Sequence, residues 1–137
     1  MEHIETSQFK NRFVAMVLSG QGFPKKPVDR HILLISATFE LEPGRQYTER
    51  ELNDALRTWT GRFGDAVNLD HVTLRRYLVD EHYLTRDSKG EAYELVTAGL
   101  PYSWDDDLRT LDLDALVAEA RAERELRKQQ HMGKTKR

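Results

Sequence analysis

The stretch Asn68-Leu69-Asp70-His71-Val72-Thr73-Leu74-Arg75-Arg76-Tyr77-Leu78-Val79-Asp80-Glu81-His82, followed at once by Tyr83-Leu84-Thr85-Arg86-Asp87-Ser88-Lys89-Gly90-Glu91-Ala92-Tyr93-Glu94-Leu95-Val96, decides the fold. Its first part has helical spacing over residues 69–82. Leu74, Tyr77 and Leu78 share one face, and Leu69, Val72 and Val79 form a second, offset face. Asn68 is placed as the N-cap. Its second part reads as strand, turn and strand, with Gly90 ending the turn Asp87-Ser88-Lys89-Gly90. A helix therefore runs into a hairpin with no linker between them.

Upstream, Thr48-Glu49-Arg50-Glu51 has the form of a capping box. The Thr48 hydroxyl accepts from the N–H of Glu51, and the Glu51 carboxylate accepts from the N–H of Thr48. Tyr47 and Leu52 stand at staple positions, and Leu52, Ala55, Leu56 and Trp59 continue as one apolar stripe. Gly61 is expected to close this helix, and a loop through Gly64 and Asp65 to lead into the next, longer than usual over residues 60–67. Before it, Ile32, Ile35 and Phe39 repeat at helical spacing. Leu33, Leu34 and Ala37 widen that face, which marks a buried helix beginning near Val28. The first helix carries Phe9, Phe13, Met16 and Val17 on one face, with Ser7 as its cap and Gly20 and Gly22 as its stop. Between these two helices, Phe23-Pro24-Lys25-Lys26-Pro27 is an extended connector, because residues before proline avoid the helical region.

Three helices followed by a hairpin is the order of a winged helix-turn-helix. The fold class expected is α+β, mostly α, a winged helix-turn-helix with extra N-terminal and C-terminal helices. Residues 1–22 form the first helix and residues 23–96 the winged-helix domain. Residues 97–137 form a C-terminal helical extension with a frayed basic tail after Gln130. In that extension Leu113, Leu116, Val117 and Ala120 share a face, and acids precede bases, as the helix dipole favours. Terminal helices of this kind suggest a homodimer.

Composition bounds the function. The chain has 137 residues, a net charge of −2 and no cysteine, which excludes disulfides and thiolate metal sites. No apolar run approaches the roughly 20 residues that span a bilayer. The N-terminus, with Glu2 and Glu5, does not read as a signal peptide, so a soluble, cytoplasmic protein with no membrane partner is expected. His3, His31, His71, His82 and His131 lack metal-ligand spacing. No serine has a recognisable base partner, and Asp105-Asp106-Asp107 lacks the glycine and distal glutamate of a calcium loop. A non-enzyme without cofactor or metal is expected.

The residues also carry a resemblance. Arg45-Gln46-Tyr47-Thr48-Glu49-Arg50-Glu51-Leu52-Asn53, followed by Asp70-His71-Val72-Thr73-Leu74-Arg75-Arg76-Tyr77-Leu78-Val79-Asp80, resembles a prokaryotic family catalogued as domain of unknown function 2087. Leu84, Arg86, Gly90 and Tyr93 fit the end of its pattern. The resemblance covers residues 23–96. It implies a winged-helix module of the kind labelled a transcriptional regulator, with no catalytic residue and no ligand. His82 departs from the glycine that many winged-helix proteins place before the wing, since histidine adopts the left-handed conformation at a cost.

On this reading double-stranded DNA is the expected partner. The contacts would come from His71, Thr73, Arg75 and Arg76 on the helix of residues 69–82 and from Lys89 at the wing turn. A competing reading makes the arginines a solvated, salt-bridged face, with Asp80 four residues beyond Arg76. Residues 45–96 carry eight bases against ten acids, which favours a winged-helix module that binds protein instead. Asp70 would repel phosphates unless it caps backbone N–H groups. Lys25, Lys26 and Arg30 form a further basic cluster, either an arm for phosphates or a solubilising connector.

Overall fold

The computed structural model describes residues 2–135, with side chains described as far as Met132. The fold is α+β and mostly helical. Helix α1 (Thr6–Ser19) buries Phe9, Phe13, Met16 and Val17 and ends at Gly20, whose φ of 62° forms the left-handed stop. Its N-cap is Glu5 rather than Ser7, which lies inside the first turn. Helix α2 (Pro27–Thr38) starts on a proline whose missing N–H costs nothing there, and Ile32, Leu33, Leu34, Ile35 and Ala37 are buried on every side.

Helix α3 (Glu49–Trp59) opens with the complete capping box. Glu51 N–H donates to Thr48 Oγ1 at 3.1 Å, and Thr48 N–H donates to Glu51 Oε1 at 3.0 Å. Tyr47 and Leu52 are both buried at its entrance. Gly61 does not end this helix. The chain continues as a π-helical segment, Thr60–Gly64, and a last α turn, α4 (Asp65–Val67). The wider π turn keeps both Trp59 and Phe63 on the core side, their ring centroids 5.8 Å apart, and Phe13 meets Phe63 edge-on at 5.1 Å. The expected loop over residues 60–67 is therefore helix. Asn68 is its left-handed C-cap, with φ 55°, and not the N-cap of the next helix.

Helix α5 (His71–Asp80) follows, shorter than residues 69–82, with Asp70 as its N-cap. Strands β2 (Leu84–Arg86) and β3 (Tyr93–Leu95) then form the expected antiparallel hairpin, Leu84 opposite Leu95. Tyr47 adds one antiparallel bridge to Tyr93, with Tyr47 N–H donating to Tyr93 O at 2.8 Å, so the residue before the α3 N-cap extends this sheet.

A second pairing has no counterpart in the sequence reading. Strand β1 (Glu2–Ile4) lies parallel to β4 (Tyr102–Trp104), which joins the start of the chain to the segment that follows the hairpin. A short 3₁₀ helix, Asp106–Thr110, leads to α6 (Leu113–Thr135). The helix passes Gln130, where a frayed tail is expected, and continues to Thr135; Lys136 and Arg137 lie outside the described residues. Buried residues from α1, the central unit and the start of α6 form one continuous core. At its centre Trp59 is fully buried, and its Nε1–H donates to Ser36 Oγ at 2.9 Å. Asp29, also buried, accepts both arms of the Arg12 guanidinium at 3.0 and 2.9 Å.

Candidate nucleic-acid interface

Helix α5 is positioned at both ends by backbone chemistry. At its start the Thr73 N–H donates to Asp70 Oδ1 at 2.7 Å, and this bond holds the Asp70 carboxyl below its usual range. At its end Tyr83 N–H reaches Leu78 O at 2.8 Å and His82 N–H reaches Val79 O at 3.2 Å. That pair of bonds is a Schellman motif, and His82 occupies its left-handed position with φ 68°. Leu78 and Tyr83, which bracket the motif, are buried, so the chain enters β2 directly.

Tyr83 is held from behind. Its hydroxyl lies 2.6 Å from His31 Nδ1, and His31 Nε2 lies 3.4 Å from Glu81 Oε2. An Nε2–H directed at the carboxylate leaves Nδ1 to accept the tyrosine proton. Burial lowers the His31 pKa and raises that of Tyr83, so both groups are neutral near pH 7. A cavity of about 410 Å³ is lined by Tyr83 together with Phe39, Tyr102 and Trp104. The charged groups in its lining are Asp106 and Arg109, and Arg109 donates to the carbonyl of Leu41.

The five residues singled out from the sequence fare differently. Arg75 does not face solvent freely. Its Nη1 donates to Asn53 Oδ1 at 2.7 Å and lies 3.0 Å from Glu49 Oε1, so the guanidinium ties α5 to α3. His71 accepts from Arg57 Nη2 at 3.4 Å. Thr73 is half-buried, with its backbone engaged by the cap. Arg76 is exposed, and among the described residues it has no ion-pair or hydrogen-bond partner; the bridge to Asp80 does not form. Lys89 is exposed at the tip of the hairpin, in a turn closed by Gly90 N–H to Asp87 O at 3.1 Å.

Two further residues belong to the same surface. Val72 is 46% exposed, unusual for a large aliphatic residue, and it stands one turn before Arg76. Arg86, on β2, lines with Val72, Arg75, Arg76, Val79 and Asp80 a groove of about 250 Å³ between helix and hairpin. The sequence offered a signal for Val72, which sits on the offset apolar face of α5, but none for Arg86, which shares the face of β2 that carries the buried Leu84. Among the described residues no cluster of metal-ligating side chains is present, and no helix is long and apolar enough to cross a membrane.

The molecule is thus a mostly helical α+β domain that presents a short helix and an adjoining hairpin, with an arginine-lined groove between them. The chain belongs to the bacterial family described as "Uncharacterized protein conserved in bacteria (DUF2087)", whose family model matches residues 21–95. That match covers α2 through β3 and leaves α1, β4 and α6 outside. No curated protein and no solved structure matches the chain.

Proposed function

We propose that this chain is a winged-helix, DNA-binding, non-catalytic regulator of the bacterial cytoplasm, with α5 as the recognition helix and the β2–β3 hairpin as the wing. The observation that carries the reading is the solvent-facing pair Val72 and Arg76, one turn apart on α5 beside Arg86 and Lys89. A recognition helix reads bases with its N-terminal half. An exposed aliphatic group there suits the thymine methyl, and an unpaired guanidinium suits the guanine edge. The single Tyr47 bridge to Tyr93 supports the same fold, because it places a minimal third strand where the hairpin joins the helical unit. Arg75 drops out of the contact set and becomes the brace that holds α5 on α3.

The surplus of acids over residues 45–96 favours the other reading, a winged-helix module that binds protein. Fluorescence anisotropy with labelled genomic duplexes, titrated with salt, separates the two. The DNA reading expects binding that weakens with salt and that loses its preference for particular duplexes in Arg76→Ala/Lys89→Ala. Absence of binding at low salt refutes it.

A further inference from the structure

Charge is segregated along this chain. Residues 1–120 carry fourteen bases against twenty-one acids, a net of −7, whereas residues 121–137 carry seven bases against two acids, a net of +5. The boundary coincides with a change in packing. The start of α6 is anchored: Leu113 and Val117 are buried, the Ala115 N–H donates to Asp112 Oδ1 at 3.0 Å, and Asp114 meets Arg62 at 3.0 Å. From Arg121 to Met132 every residue is exposed. The helix nonetheless runs on to Thr135, which is about 22 Å beyond Ala120 at 1.5 Å per residue.

At about 100° per residue, Arg121, Arg124, Arg127 and Lys128 fall within roughly 120° of one another around the helix, and Glu123 and Glu125 lie to either side. Arg127 reaches Glu123 at 3.7 Å, a long and exposed pair. Arg121, Arg124 and Lys128 have no ion-pair partner among the described residues. A projecting helix with one basic face and nothing beneath it is suited to a polyanion. The acids of the body are poor candidates, because many are engaged within the chain: Asp29 with Arg12, Glu40 with Arg62, Glu49 with Arg75, Glu51 with Arg45, and Asp70 and Asp112 as caps. Duplex DNA offers about one unengaged charge per 1.7 Å of its axis.

We infer that the projecting half of α6 is the principal phosphate-contacting element of the chain, lying along the backbone of duplex DNA through Arg121, Arg124 and Lys128. This rests on the DNA-binding reading above, and it assigns most of the sequence-independent affinity to α6. The surface of α5 and the wing is left to set register and sequence preference.

The test compares the parent chain with Arg121→Gln/Arg124→Gln/Lys128→Gln. Anisotropy is measured on a duplex of genomic sequence and on a scrambled duplex over a salt series, with light scattering in parallel. Glutamine keeps helix propensity, so circular dichroism should be unchanged. The expected result is at least a tenfold loss of affinity for both duplexes, with the slope of log K against log salt shallower by about three, near 0.9 per phosphate. A triple variant that binds like the parent overturns the inference while leaving DNA binding by α5 and the wing intact. A parent that binds neither duplex overturns both. A parent of dimer mass whose variant is monomeric, with DNA affinity unaltered, assigns the face to a second copy of the chain and likewise overturns the inference.

Discussion

Arg75 and Arg76 are adjacent, chemically identical and on the same helix, yet they should respond in opposite ways to truncation. Arg75 has a side chain 20% exposed, and it donates to Asn53 Oδ1 at 2.7 Å while pairing with Glu49 at 3.0 Å. A hydrogen bond from a charged donor contributes about 1.5–3 kcal/mol. The ion pair adds about 0.5 kcal/mol, because Glu49 is half in water. Arg75→Ala should therefore cost about 2–3 kcal/mol by loosening α5 from α3. Arg76 touches no such partner, and Arg76→Ala should stay within about 0.5 kcal/mol of the parent. Urea unfolding followed by circular dichroism reads the difference directly. With a slope of about 2 kcal/mol per molar for a chain of this size, Arg75→Ala should lower the midpoint by about 1 M and Arg76→Ala should leave it in place. In the DNA assay the order reverses: Arg76→Ala loses preference for the genomic over the scrambled duplex at full stability. Equal midpoints for the two variants would refute the assignment of Arg75 as a brace.

Other substitutions probe the frame. Thr48→Ala removes the capping box and should cost about 1 kcal/mol in thermal or urea unfolding; an unchanged midpoint would mean that the cap contributes nothing. Trp59→Ala should cost about 3–5 kcal/mol, since it empties the centre of the core and removes the bond to Ser36. His82→Gly should raise stability by about 0.5–1 kcal/mol: relief of the left-handed histidine is worth about 1–2 kcal/mol, and the freer unfolded glycine returns part of it. A lowered midpoint would contradict that account. Burial holds the folded pKa of His31 below its unfolded value of about 6.5, so in that range the unfolded chain binds more protons and stability falls as the pH drops below about 6.5. His31→Gln should flatten this part of the pH–stability profile, and an equally steep profile would show that another group is responsible.

Much of the architecture was legible because it is written in local chemistry. The Thr48 box, the stripe from Leu52 to Trp59, the Phe9 and Phe13 face of α1 and the turn ending at Gly90 each need only neighbouring residues to be read. The π-helical segment was hidden because its cause is remote: Phe63 is drawn inward by Phe13, fifty residues earlier, against the local signal of Gly61. The β1–β4 pair was hidden for the same reason, since each strand is three residues long and its partner lies about a hundred residues away in the chain. Within the candidate surface, charge and spacing located the helix but could not rank its two arginines. The ranking depends on Asn53 and Glu49, which helical periodicity places on another element. Asp70 was the opposite case, where an N-cap position was enough to turn an apparent repulsion into a cap.

The join between α5 and the hairpin leaves no slack. Two backbone bonds, one left-handed residue and a tyrosine fastened to α2 through His31 fix the helix and the hairpin as a single rigid piece. A duplex that engages both cannot be met by a swivelling wing, so the double helix itself must supply the adjustment, at an energy set by how easily its base steps bend and its grooves narrow. Discrimination would then extend to base pairs that no side chain touches, graded by the stiffness of the DNA.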